Sequence, residues 1–85
     1  MMLLKNTHDV DALIRAVERC RGDVILRSAD GRATYHLKDA LSRYMAIGEL
    51  LKPHGDEYEF FCERHVDEVN IMRFLAGLQN EALSA

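Results

Sequence analysis

Asp23-Val24-Ile25-Leu26-Arg27-Ser28, then Ala29-Asp30-Gly31-Arg32, then Ala33-Thr34-Tyr35-His36-Leu37 is the stretch that decides the fold. The first six residues are rich in aliphatic and β-branched side chains and read as a strand. Asp30-Gly31 supplies a hydrogen-bond acceptor and a residue tolerant of positive φ, which is what a hairpin turn requires. The returning strand alternates, with Ala33, Tyr35 and Leu37 on one face and Thr34 and His36 on the other. Lys38-Asp39 then leads into a helical pattern, for which the Asp39 carboxylate is a natural N-cap. Leu41, Tyr44, Gly48 and Leu51 recur at helical spacing, with Met45 and Ile47 flanking that stripe.

Upstream of the hairpin, Met2-Leu3-Leu4-Lys5 reads as a short strand. Val10, Leu13, Ile14, Val17 and Cys20 follow the i, i+3, i+4, i+7 rule of an amphipathic helix. Thr7 or Asp9 can cap that helix, and Gly22 is placed to end it as a left-handed C′ residue. Downstream, Pro53 disfavours helix in the residue before it, so the second helix should stop near Leu51-Lys52. In Glu57-Tyr58-Glu59-Phe60-Phe61-Cys62-Glu63, Tyr58, Phe60 and Cys62 should face the core and the glutamates water. Phe61 breaks the alternation and is assigned to a partly covered outer face. Asp67 is a candidate cap for a last helix carrying Ile71, Leu75 and Leu78 on one stripe. The expected order is therefore β-α-β-β-α-β-α: an α+β fold with a four-stranded antiparallel sheet and three helices on one face.

An 85-residue chain is expected to form one domain, residues 1–85, with a modest core. With 48% hydrophobic and 29% charged residues it has the composition of a soluble globular protein. The net charge of −3 argues against a nucleic-acid partner, because such binding relies on excess Lys and Arg. No apolar run approaches ~20 residues, so no membrane span is expected, and the apolar start is too short for a signal-peptide core. Cys20 and Cys62 sit in apolar patterns and are expected as buried thiols of a cytoplasmic protein. His8, His36, His54 and His65 have no CxxC, HxxxH or HExxH spacing, and no Gly-rich phosphate cradle or nucleophile elbow occurs. No metal, cofactor or catalytic set is therefore expected. Arg15, Arg19 and Arg21 read as solvating charge, as do Asp56, Glu57, Glu59, Glu63, Asp67 and Glu68.

In element order and size the chain resembles the histidine-containing phosphocarrier protein, HPr, of the bacterial sugar phosphotransferase system. The resemblance covers nearly the whole chain. It is carried by Gly22-Asp23-Val24-Ile25-Leu26, Asp30-Gly31, Lys38-Asp39-Ala40-Leu41, Ile47-Gly48 and Asp67-Glu68. It implies an open-faced β-sandwich. The nearer likeness is to short, divergent HPr-like proteins that lack the phosphorylation site. The family's active histidine lies before the first helix in a Gly-x-His-x-Arg-Pro motif. Counting back from Leu13 puts Asn6 at the histidine position and His8 at the arginine position, and the Gly, Arg and Pro are absent. Asp9 and Asp11 bring negative charge to where a phosphoryl group would sit. The family's regulatory serine corresponds to Asp39 or Ala40, neither of which has a hydroxyl; Asp39 is either a partial mimic of the phosphorylated form or a simple cap.

The resemblance further implies a partner surface built from the starts of the first and second helices: Asn6, His8, Asp39, Ala40, Leu41 and Met45. Leu41 and Met45 are equally compatible with the core. The reading that follows is a binding or regulatory module that kept the fold and lost phosphotransfer. Its partner would be another protein, such as a phosphotransferase component or a transcriptional regulator. Two alternatives stand beside it: an active phosphocarrier using His8, and a ferredoxin-like small-molecule sensor or dimerisation domain. Fold alone does not decide among them.

Overall fold

The computed structural model describes residues 2–84, with side chains as far as residue 78. The elements in chain order are α1 (Thr7–Arg19), β1 (Val24–Ser28), β2 (Thr34–His36), α2 (Ala40–Leu50), a single 3-10 turn (Gly55–Glu57), β3 (Tyr58–Cys62) and α3 (His65–Ser84). The protein is thus α+β, with three helices and a three-stranded antiparallel sheet ordered β2-β1-β3.

The hairpin forms where the sequence places it. Ser28 N–H donates to the Ala33 carbonyl at 2.9 Å, and Gly31 N–H to the Ser28 carbonyl at 2.9 Å. Asp30 accepts from the Ser28 hydroxyl at 2.7 Å and from Arg32 N–H at 3.0 Å, and Gly31 takes a φ of +76°. That angle is why a glycine sits here. β1 is central, and its Val24 and Leu26 are fully buried. Tyr35, Tyr58, Phe60 and Cys62 pack against the same core, as the alternation predicts. The opposite face is open: Thr34, His36, Arg27 and Glu59 are exposed, and the Arg27 guanidinium lies 5.2 Å above the Phe61 ring. Phe61 is on this outer face, as its position out of step requires.

Leu13, Ala16, Val17 and Cys20 of the first helix and its cap, Ala46 and Leu50 of α2, and Ile71 of α3 join Val24 and Leu26 in one buried cluster. Each fully buried aliphatic side chain contributes roughly 1.5–3 kcal/mol relative to exposure. Cys20 and Cys62 are free thiols, and Cys20 donates to the Ala16 carbonyl at 3.3 Å. Burial pushes the Cys62 thiol up to about 11, far from the range in which a thiolate forms at neutral pH.

Four local expectations are corrected. Met2-Leu3-Leu4-Lys5 is not a strand. Leu3 and Leu4 N–H both donate to the Leu50 carbonyl, at 3.1 and 3.2 Å, and Leu4 is fully buried. The last carbonyls of a helix lack intrahelical donors, and here one of them captures this segment before a sheet ladder does. Asn6, rather than Thr7 or Asp9, caps α1, accepting from Asp9 N–H at 2.9 Å. Gly22 is not a left-handed terminator. The cap is Cys20 in extended backbone, and Gly22 is small because a Cβ there would lie 3.0 Å from Arg64 Cγ and 3.3 Å from Glu63 Cβ. Asp67 does not cap α3, which already begins at His65; its carboxylate accepts from Arg21 and Gly22 N–H at 3.1 and 2.8 Å.

The turn between α1 and β1 is thereby held from a distance. Besides Asp67, Asn70 Nδ2 donates to the Ala16 carbonyl at 2.7 Å and to Cys20 Sγ at 3.3 Å, and Lys38 Nζ donates to the Cys20 carbonyl. Together these satisfy backbone groups that the helix end and the turn leave without partners.

Candidate functional site

α2 begins as the sequence predicts. Asp39 accepts from Ser42 N–H at 3.0 Å, and the Ser42 hydroxyl accepts from His36 N–H at 2.8 Å, so the helix start is stitched to the edge of β2. The helix turns its Ala46–Leu50 side to the core and leaves the Leu41–Tyr44 stripe outside. Ala46 and Leu50 are buried and Ile47 is partly so. Leu41, Tyr44 and Met45 are 69%, 77% and 52% exposed. A Cβ added at Gly48 on the same side would meet nothing within 4 Å. Both stripes are apolar at helical spacing, so periodicity alone does not choose between them. Leu50 is fully buried, and the Leu3-Leu4 segment bonds to its carbonyl.

Five of the six residues implied as a partner surface fall at the two ends of this helix, and Met45 lies in its middle. Leu3 and Leu4 are tied to Leu50, which puts the start of α1, with Asn6 and His8, near the C-terminal end of α2. Asp39, Ala40 and Leu41 lie at its N-terminal end. Eleven residues of helix separate the two by roughly 16 Å. Leu41 and Met45 belong to the exposed face together with Tyr44, which the helical stripe contains but the implied partner surface did not. Its phenol does not mark it as exposed, since Tyr35 and Tyr58 carry the same group and pack against the core.

At the α1 start the polar groups bond to one another. Asn6 is the cap, and Asp9, buried at N3, accepts from Lys5 N–H at 2.8 Å. His8 is exposed on the first turn. The Asn6 side-chain carbonyl already serves Asp9 N–H, one of the first-turn backbone donors that a phosphoryl group would use. Among the described residues, no group of three or more His, Cys, Asp or Glu is placed to hold a metal ion.

The C-terminal end of α2 carries a polar cluster. The Glu49 carboxylate accepts from Lys52 Nζ at 2.8 Å and Tyr58 Oη at 3.0 Å, and lies 3.1 Å from His54 Nε2. These contacts, Lys52 foremost, pull its carboxyl down to about 2 from 4.5. Burial, then the neighbouring Glu49, pushes the Tyr58 phenol up to about 12. A general acid or base at neutral pH needs a pKa near 7; these two are moved away from it. The cluster instead pins the connection from α2 to β3. Because Glu49 is lower in the folded state, its stabilisation is complete above about pH 4.5 and is lost as pH falls toward about 2. Glu49→Gln should therefore flatten the acid limb of the stability curve over that window, read as urea midpoints at successive pH values. An unchanged acid limb would show that the cluster is not held in solution.

Among the described residues, no helix is long and apolar enough to cross a membrane. No protein-family model, curated protein or solved structure matches the chain.

Proposed function

We propose that the protein is a non-catalytic binding module of HPr-like kind, which docks another protein on the exposed apolar face of α2. The observation that carries this reading is the exposure of Leu41, Tyr44 and Met45 on one side of one helix. Large apolar side chains grouped on a surface mark an interaction site, and aromatic residues and Met are enriched at the centres of interfaces. The element order from α1 to α3 supports the HPr-like reading, since it is the expected order without the first strand. The absent Gly-x-His-x-Arg-Pro motif and the acidic first turn of α1 favour a binding role over phosphotransfer. The partner class that fits is a cytoplasmic phosphotransferase component or a transcriptional regulator linked to it.

The test is titration calorimetry of the full chain against purified phosphotransferase proteins and such regulators. Leu41→Ala combined with Tyr44→Ala should weaken binding by roughly 2 kcal/mol or more, while thermal stability stays within about 0.5 kcal/mol, as expected for exposed positions. Binding that survives the double substitution would place the interface elsewhere. In a parallel arm, the chain is incubated with phosphoenolpyruvate and the general phosphotransferase enzyme, and intact mass is read at neutral pH. No adduct is expected. An adduct lost in His8→Ala would replace this reading with an active phosphocarrier.

A further inference from the structure

β3 is an edge of the sheet, and its outer side is open. Glu63 N–H donates to the Asp23 carbonyl, and in the same register Phe61 lies opposite Ile25 and Glu59 opposite Arg27. Glu59, Phe61 and Glu63 therefore turn their backbone groups toward β1, and Tyr58, Phe60 and Cys62 turn theirs away from it. Tyr58 N–H lies at the end of the 3-10 turn, and among the described residues no backbone bond outside the sheet and helices reaches Phe60 or Cys62 on that side. The other edge is different: the outward His36 N–H of β2 is covered by the Ser42 hydroxyl. Beside the open edge lies a groove of about 800 Å³ between β3, α3 and the segment before α1. Its walls include Met2, Phe60, Ile71, Met72 and Leu75. On the opposite face of the same strand Glu59 is exposed, with Glu57 and Glu63 exposed at its two ends.

We propose that β3 accepts an extended segment of another protein as a fourth, antiparallel strand, in which apolar and basic residues alternate. Side chains of successive strand residues point to opposite faces. The apolar set would enter the groove beside Phe60 and Met72, and the basic set would lie over Glu59 and toward Glu57 and Glu63. Backbone pairing supplies affinity in such strand addition, and the pockets for alternate side chains supply selectivity. Arg27, the cation opposite Glu59, has its guanidinium over the Phe61 ring, and no ion pair joins it to Glu59 among the described residues.

A second copy of the chain is a poor occupant. A two-fold dimer would pair the two β3 edges antiparallel through their outward residues. With Phe60 opposite Phe60, Glu57 of each copy approaches Glu63 of the other. A shift one way sets Glu59 opposite Glu59, and a shift the other way sets Glu59 opposite Glu63. Like charges directly opposite are destabilising, and charged residues on an edge are a standard guard against self-pairing.

The test uses the full chain and a fluorescein-labelled heptapeptide of alternating residues, lysine-valine-lysine-leucine-lysine-valine-lysine, read by fluorescence anisotropy. In the proposed pairing, the N–H groups of the valines and leucine face β3 and those of the lysines face away. N-methylation of the valine and leucine amides should weaken binding roughly tenfold to a hundredfold; N-methylation of the lysine amides should leave it nearly unchanged. Glutamate in place of lysine should abolish binding, and Glu59→Lys should weaken the lysine peptide. Amide hydrogen exchange at Phe60 and Cys62 should slow when the peptide is bound. Equal effects of the two methylation patterns would overturn strand pairing, as would absence of binding by the unmodified peptide. Concentration-dependent dimerisation of the free chain, with the same two amides protected, would assign the edge to a second copy instead.

Discussion

Gly55→Ala should lower stability by about 3 kcal/mol, a fall in melting temperature of roughly 12–24 °C for a domain of this size. A Cβ at this position would lie 2.4 Å from the Leu50 carbonyl oxygen and 3.0 Å from Leu3 N. Both neighbours are backbone, and they are bonded to each other: Leu3 and Leu4 N–H converge on that same oxygen. Neither can rotate away as a side chain would. Relief requires opening the junction of the N-terminal segment, the end of α2 and the 3-10 turn, with loss of the buried Leu4. The cost is steric, since among the described residues the positive φ belongs to Gly31. Gly48→Ala is the internal comparison. A Cβ there meets nothing, and the helix interior gains about 0.5–1 kcal/mol from the exchange. The two substitutions should move thermal melts in opposite directions. A Gly55→Ala melt within a few degrees of the parent would mean that the junction is slack.

Asp67→Ala should lower the melting temperature by on the order of ten degrees. The carboxylate is buried and serves Arg21 and Gly22 N–H across 46 and 45 residues of chain. Its removal leaves two donors of the α1–β1 turn without their acceptor. The Gly22 amide foremost, and then the Arg21 amide, hold the Asp67 carboxyl below its usual value against the opposing effect of burial. With the folded value depressed, its contribution is fully present above the unfolded value of 3.8 and is lost as pH falls through the folded one. Asp67→Asn keeps one acceptor oxygen, so it should melt above Asp67→Ala and have a shallower acid limb than the parent. Calorimetric melts at a series of pH values between 2 and 7 distinguish the three proteins. An Asp67→Ala melt equal to the parent's would show that Lys38 and Asn70 hold the turn unaided.

Both sites show where local reading stops. An aspartate two residues after Arg64-His65, before an apolar run, has the local signature of a helix cap. Nothing nearby in sequence says that its acceptors will be used by residues 21 and 22. Gly55 follows Pro53-His54 and reads as turn chemistry, whereas its small size answers a carbonyl five residues upstream. The surface proposed for docking has the same history. Leu41, Tyr44 and Met45 make a sound helical stripe, and so do Ala46, Ile47 and Leu50. Only the fully buried position of Leu50 beside Leu4 shows which stripe is inside.

The sequence by itself determined the elements whose signals are short-range. These are the Asp30-Gly31 hairpin, α1 with its Leu13-Val17-Cys20 stripe, the Asp39 cap and start of α2, and the alternation that puts Phe60 inward and Phe61 outward. Each rests on contacts within a few residues, where dihedral preference and side-chain period decide. Only long-range contacts decide which face of α2 is buried, that Leu3 and Leu4 bond to a helix end rather than to a strand, and that β3 is an edge of the sheet among the described residues. In each case two local states of similar energy compete. The choice falls to long-range partners, the Leu50 carbonyl above all, whose positions exist only once the chain has folded.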